Sequence, residues 1–87
     1  MQLRSIETMM NARRLLDTKG LNCPLPVLKA RRAFREMAAG AELEVHATDH
    51  GAVKDFAVFA EAGGHALLES REDGGVYVFV LRKGSGA

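Results

Sequence analysis

Residues 65–83 read HALLESREDGGVYVFVLRK. Asp73-Gly74-Gly75 has the composition of a tight turn, and the segments on either side have strand-like content, so the stretch predicts a hairpin of two antiparallel strands. The second arm is apolar without a break from Val76 to Leu81, on both of its faces. Such a strand belongs inside a sheet rather than at its edge, because an exposed apolar edge invites pairing with other chains. The rest of the sheet is therefore sought upstream.

Working back, ELEVHATD (42–49) alternates Leu43, Val45 and Ala47 with Glu42, Glu44 and His46, the period of a half-buried strand. Asp49 is placed to cap a second helix running through about Ala62, with Val53, Phe56, Ala57 and Ala60 inward and Gly63-Gly64 closing it. From Pro24 to Ala39 the apolar residues Val27, Ala30, Phe34, Met37 and Ala38 fall on one helical face, with Lys29, Arg32 and Glu36 opposite and Gly40 set for a C-terminal stop. RRLLDTKG (13–20) reads as a first strand to about Thr18. The order β-α-β-α-β-β predicts an α+β two-layer sandwich with both helices on one face, given right-handed crossovers. One domain is expected over 13–84, with 1–12 as a flexible leader and 85–87 as a flexible tail.

At 87 residues, 47% hydrophobic and 26% charged, the chain is an ordinary small globular protein with a thin core. The N-terminus lacks the apolar run of a signal peptide, and no stretch approaches the roughly 20 apolar residues that span a bilayer. A cytoplasmic protein without membrane partners is expected. The net charge of +1 conceals an asymmetry: the first 35 residues carry eight Lys/Arg against two Asp/Glu, and the remainder four against nine. A basic patch that steers an acidic partner is one reading, and a solvated helix face is the other.

The chemistry centres on NCPLPVLKARR (22–32), which holds the sole cysteine. If Cys23 is the N-cap, Pro24 and Pro26 fall in the first turn, where a missing N–H costs little. They stiffen the helix entry and leave Leu25 and Val27 as the amide donors near the sulfur. A thiolate at a helix N-terminus is favoured by the dipole, so a lowered thiol pKa is expected, with Lys19 as a possible contributor. Without a second cysteine no dithiol chemistry is available within the chain, and a sulfur placed on Cys23 has to be taken off by another molecule.

Leu16-Asp17, Gly20-Leu21 and Cys23-Pro24-Leu25-Pro26 together resemble the L-D-x-x-G-L-x-C-P-x-P signature of the TusA-like (SirA-type) sulfur carriers. The likeness extends over about residues 14–84, through Thr48-Asp49 and the closing LRKG. It implies a mixed four-stranded sheet with the last strand inside. It also implies a sulfurtransferase in which Cys23 accepts persulfide sulfur from a donor protein, such as a cysteine desulfurase or a rhodanese, and relays it to an acceptor protein. The family's branches serve tRNA thiolation, sulfur oxidation and cofactor maturation. Carried over by position, Pro24 and Pro26 shape the cysteine's surroundings and Asp17 with Gly20 forms the turn that presents it; Asp17 satisfying loop amides is the alternative. Arg31, Arg32 and Arg35 become docking candidates for the partner. His50 departs from the family, which often has proline there.

Neither a metal nor an organic cofactor is expected. His46 lies in a strand and His50 opens a helix, so the pair lacks the spacing of helical ligands. As neighbouring parallel strands end on one edge, Asp49 and His50 are expected near Cys23, with His50 a candidate proton donor to the thiol. Direct nucleic-acid binding is disfavoured by the lack of exposed aromatic residues among the charges. The rival reading is a regulatory binding module in which the cysteine is dispensable.

Overall fold

The computed structural model describes residues 13–85. The expected leader and the end of the expected tail lie outside the described residues.

Alternation at Glu42–Ala47 gives β2, with Leu43, Val45 and Ala47 fully buried. β1 (Arg14–Thr18) pairs with it in parallel, Leu16 opposite Val45. The hairpin forms as β3 (Ala66–Asp73) and β4 (Val76–Arg82), turning on Gly74 and Gly75 at positive φ. β4 also runs antiparallel to β2, so the sheet order is β1-β2-β4-β3, with a register irregularity between Leu67 and Glu69. The doubly apolar strand is therefore interior, and Val78, Phe79, Val80 and Leu81 are all buried. Val78 and Val80 point away from the helices and are flanked in register by Glu44 and His46 on one side and Glu69 and Arg71 on the other.

Helices α1 (Leu25–Arg35) and α2 (Gly51–Gly63) cover the other face. Ala30, Ala33 and Phe34 of α1, and Ala52, Phe56 and Ala60 of α2, share one cluster with Leu43, Val45, Ala47, Phe79 and Leu81. Phe56 stacks on Phe79 at 4.7 Å between ring centroids, within the range of favourable aromatic pairs. Ala57 is exposed, and Ala52 takes the inward place expected of it.

The helix-one expectation was too long at both ends. Pro24, not Cys23, is the N-cap, and the helix ends at Arg35 rather than near Ala39. The early end has a cause downstream. The Lys83 ammonium donates to the carbonyls of Phe34 and Met37, both at 2.6 Å, at the helix end where Phe34 O otherwise takes only the Met37 N–H. Gly40, at φ 89, serves the turn into β2, where Gly40 N–H donates to Lys83 O and Lys83 N–H to Ala41 O. Ala38 is left exposed.

Candidate functional site

Because β1 and β2 are parallel, the loops that follow them leave the sheet at the same edge, and each loop leads into a helix. The two loops hold each other. Gly20 N–H donates to Thr48 Oγ1 at 2.9 Å, and Cys23 N–H donates to Asp49 Oδ2 at 2.7 Å. Beneath them, buried Thr18 donates its hydroxyl to His46 O at 2.7 Å. Gly20 sits at φ 86, a conformation that suits glycine. Asp17 Oδ1 accepts Lys19 N–H at 3.0 Å. That amide, followed by the nearby Lys19 charge, holds the Asp17 carboxyl below its ordinary value. Asp17 thus satisfies a loop amide, and the Lys19 ammonium faces it at 3.6 Å.

This lacing leaves Cys23 exposed at the tip, ahead of α1, with a cis peptide to Pro24. Pro24 is exposed while Pro26 is buried in the core, so the two prolines differ in duty. The Leu25 amide, expected to face the sulfur, donates instead to Asn22 O at 2.8 Å.

Asp49 does not cap α2. His50 holds the N-cap position without a side-chain bond, and the Asp49 carboxylate is spent on the Cys23 amide. His50 is engaged elsewhere, its Nδ1 3.1 Å from the Tyr77 hydroxyl. His46 Nε2 lies 2.6 Å from Glu44 Oε2, and among the described residues no group of His, Cys, Asp and Glu is arranged to hold a metal ion.

The partner of the thiol is a residue the sequence reading passed over. Cys23 Sγ donates to Asp55 Oδ2 at 2.5 Å. Asp55 lies one turn beyond Gly51, and residues i and i+4 share a helix face. Gly51 is what lets the cysteine approach: a Cβ there would stand 3.3 Å from both Cys23 Cβ and Asp49 Oδ2. The hydrogen bond to Asp55, then burial, then the charges of Asp55 and Asp49 push the Cys23 thiol above its ordinary value. This reverses the expected lowering. The sulfur is turned toward Asp55, whose carboxylate takes a hydrogen bond that only the protonated thiol can give. Lys19, held on Asp17, is not among the groups that move the thiol.

From Pro24 and Asp55 a groove of about 660 Å3 runs between the helices. Val27, Phe34, Val58 and Phe59 line its apolar part, and Arg31, Arg35 and Lys54 its basic part. Arg32, grouped with these arginines by sequence, instead lines a second hollow with Arg14, Lys29 and Glu36.

Comparison with known proteins agrees with this architecture. The model of the family described as Sulfurtransferase TusA matches residues 14–83. The sulfur carrier protein TusA of Allochromatium vinosum is 50% identical over 68 residues, 78% of this chain and 90% of that one. The putative sulfur carrier protein YrkI of Bacillus subtilis is 43% identical over 75 residues, 86% of this chain and all of that one. A crystal structure of a SirA-like protein from Desulfitobacterium hafniense superposes with a TM-score of 0.73 at 26% identity, covering 85% of this chain and 100% of the other. With the family's pattern running from the first strand to the residue after the last, the chain belongs to the TusA family.

Proposed function

We propose that this protein is a sulfur carrier in which Cys23 bears the travelling sulfur. The observation that supports this most is the position of its sole cysteine, exposed at the tip of the molecule where two loops and two helix starts meet. In loading, the sulfur of Cys23 attacks the terminal sulfur of a donor persulfide. One S–S bond forms on Cys23, the donor's S–S bond breaks, and the thiol proton ends on the departing donor thiolate. The exchange is redox neutral and needs no cofactor. Delivery is the same step with the roles reversed.

A cysteine desulfurase or a rhodanese suits the donor's part, and a second thiol protein the acceptor's. Arg31 and Arg35, in the groove that begins beside the thiol, offer an acidic partner both charge and apolar surface. Arg32 faces another hollow and serves such docking less. Pro24, Pro26, Asp17 and Gly20 act by shaping the tip. A reducing compartment such as the cytoplasm fits the chemistry, and none of the described helices is long and apolar enough to cross a membrane.

The test is an intact-mass spectrum after incubation with a cysteine desulfurase and cysteine. The wild-type chain is expected to gain one sulfur atom, removable by reductant, and Cys23→Ala to gain none. An alkylatable thiol that takes up no sulfur from any of several donors, desulfurases and rhodaneses included, would sink the carrier reading and favour a regulatory module.

A further inference from the structure

A carrier has two opposed requirements. It must keep its thiol intact while empty, and it must not hold the sulfur too firmly once loaded. Asp55 is placed to serve both. Its carboxylate accepts from Cys23 Sγ at 2.5 Å, whereas the neighbouring Asp49 is committed to the Cys23 amide at 2.7 Å. The two acids therefore have separate tasks. Among the described residues, Arg31, Arg35, Lys54, His65 and Lys83 are the other charged or titratable groups that line the groove with Asp55, and Lys19 faces Asp17. His50 is turned to Tyr77.

We propose that Asp55 sets the charge state of Cys23 through the transfer cycle: it holds the empty carrier as a protonated, aimed thiol and destabilises the persulfide anion of the loaded one. The proposal rests on the sulfur-carrier reading. A thiolate, not a thiol, is the species that oxidants and stray electrophiles attack, so the hydrogen bond to Asp55 shields the empty carrier. A persulfide ionises more readily than a thiol. Once ionised it has no proton to donate to Asp55, and two carboxylates face an anion. The loaded form is raised in free energy relative to the empty one, and delivery to an acceptor thiol is favoured. No atom or electron beyond those of the exchange itself is required.

The experiment uses Asp55→Asn, which keeps shape and removes charge, beside Asp55→Glu, which keeps charge. Alkylation of the unloaded protein by iodoacetamide is followed across pH, with circular dichroism as the check of folding. Asp55→Asn is expected to shift the midpoint to lower pH and to speed alkylation at pH 7 roughly threefold or more, with Asp55→Glu close to wild type. A folded Asp55→Asn protein whose pH profile superimposes on wild type would overturn the proposal. The second readout is the equilibrium partition of sulfur between Cys23 and a glutathione/glutathione persulfide pair, read by intact mass and expected to shift toward the loaded protein in Asp55→Asn; an unchanged or opposite partition would overturn the discharge half. Because alkylation involves no sulfur transfer, its outcome is independent of whether Cys23 accepts sulfur in the mass-spectral test.

Discussion

The two ends of the helical layer are built on different principles. At the end where the helices begin, neither has a side-chain cap, and the loops are held by single bonds to each other. At the end where they finish, both helices are closed by hydrogen bonds. Lys83 closes α1 on two carbonyls. α2 ends in a Schellman pattern, with Gly64 at φ 70, Gly64 N–H on Glu61 O and His65 N–H on Ala60 O. The His65 ring lies 4.7 Å from that of Phe34 and 5.2 Å from that of Phe59, and its Nδ1 accepts Gly84 N–H at 2.9 Å. The bonds at the sulfur end tie loop to loop, whereas those at the far end tie the closing segment of the chain onto the ends of both helices. Stability is anchored at one end so that the other can present an exposed group.

That contrast can be broken by substitution. Lys83→Met removes two hydrogen bonds from a charged donor and leaves Phe34 O with only its bond from Met37 N–H, for an expected loss of about 2–3 kcal/mol in urea unfolding. The alkylation rate of Cys23 in that folded variant should stay within about twofold of wild type; a larger change would mean that the ends are coupled. His65 gives the next effect. Burial, and then the Lys83 charge, hold its ring below the ordinary histidine value. The unfolded chain therefore binds the proton more readily, and stability falls as pH drops below about 6.5, levelling off below the folded-state value. Between pH 7.5 and 5.5 the melting temperature should fall by a few degrees, and less so in His65→Asn, which keeps an acceptor for Gly84 N–H. Equal slopes for the two proteins would acquit His65.

The smallest change in stability is expected at the sulfur end. Gly51→Ala places a methyl 3.3 Å from both Cys23 Cβ and the Asp49 carboxylate. Because Cys23 is exposed and the Asp49 contact is a side-chain carboxylate, unfolding free energy should move by no more than about 1 kcal/mol. Displacement of the sulfur from Asp55 should nevertheless alter the alkylation profile. If Gly51→Ala costs more stability than Lys83→Met, the division of labour between the ends is wrong.

Much of this was legible beforehand. Alternation placed β2, the unbroken apolar run placed β4 in the interior, and the Asp-Gly-Gly turn fixed the hairpin. The parallel pairing of β1 and β2 was enough to bring Asp49 toward Cys23. Helix ends were read less well, since their limits were set by distant groups: Lys83, 46 residues beyond Met37, closes α1. Asp49 looked like a cap because caps are local, yet its carboxylate found a better donor 26 residues away. Asp55 was missed for a related reason. On its own helix it is one more polar residue among several, and only the docking of α1 beside α2 turns it toward the thiol. The small residue at position 51, one turn earlier, was the available signal that something packs closely on that face.

The order of the strands carries a consequence for synthesis. β4 joins the β1–β2 pair to β3, yet it is the last of the four to leave the ribosome. Until Val76–Arg82 emerges, β2 has one unpaired edge, and the buried faces of both helices lack the Phe79 and Leu81 they pack against. At about 5–20 residues per second the 28 residues between Ala47 and Val76 take a few seconds to make. For that interval the nascent chain carries an open strand edge and uncovered apolar side chains. The same seven residues that complete the sheet end that exposure, so truncation or stalling just before them leaves a species prone to aggregate.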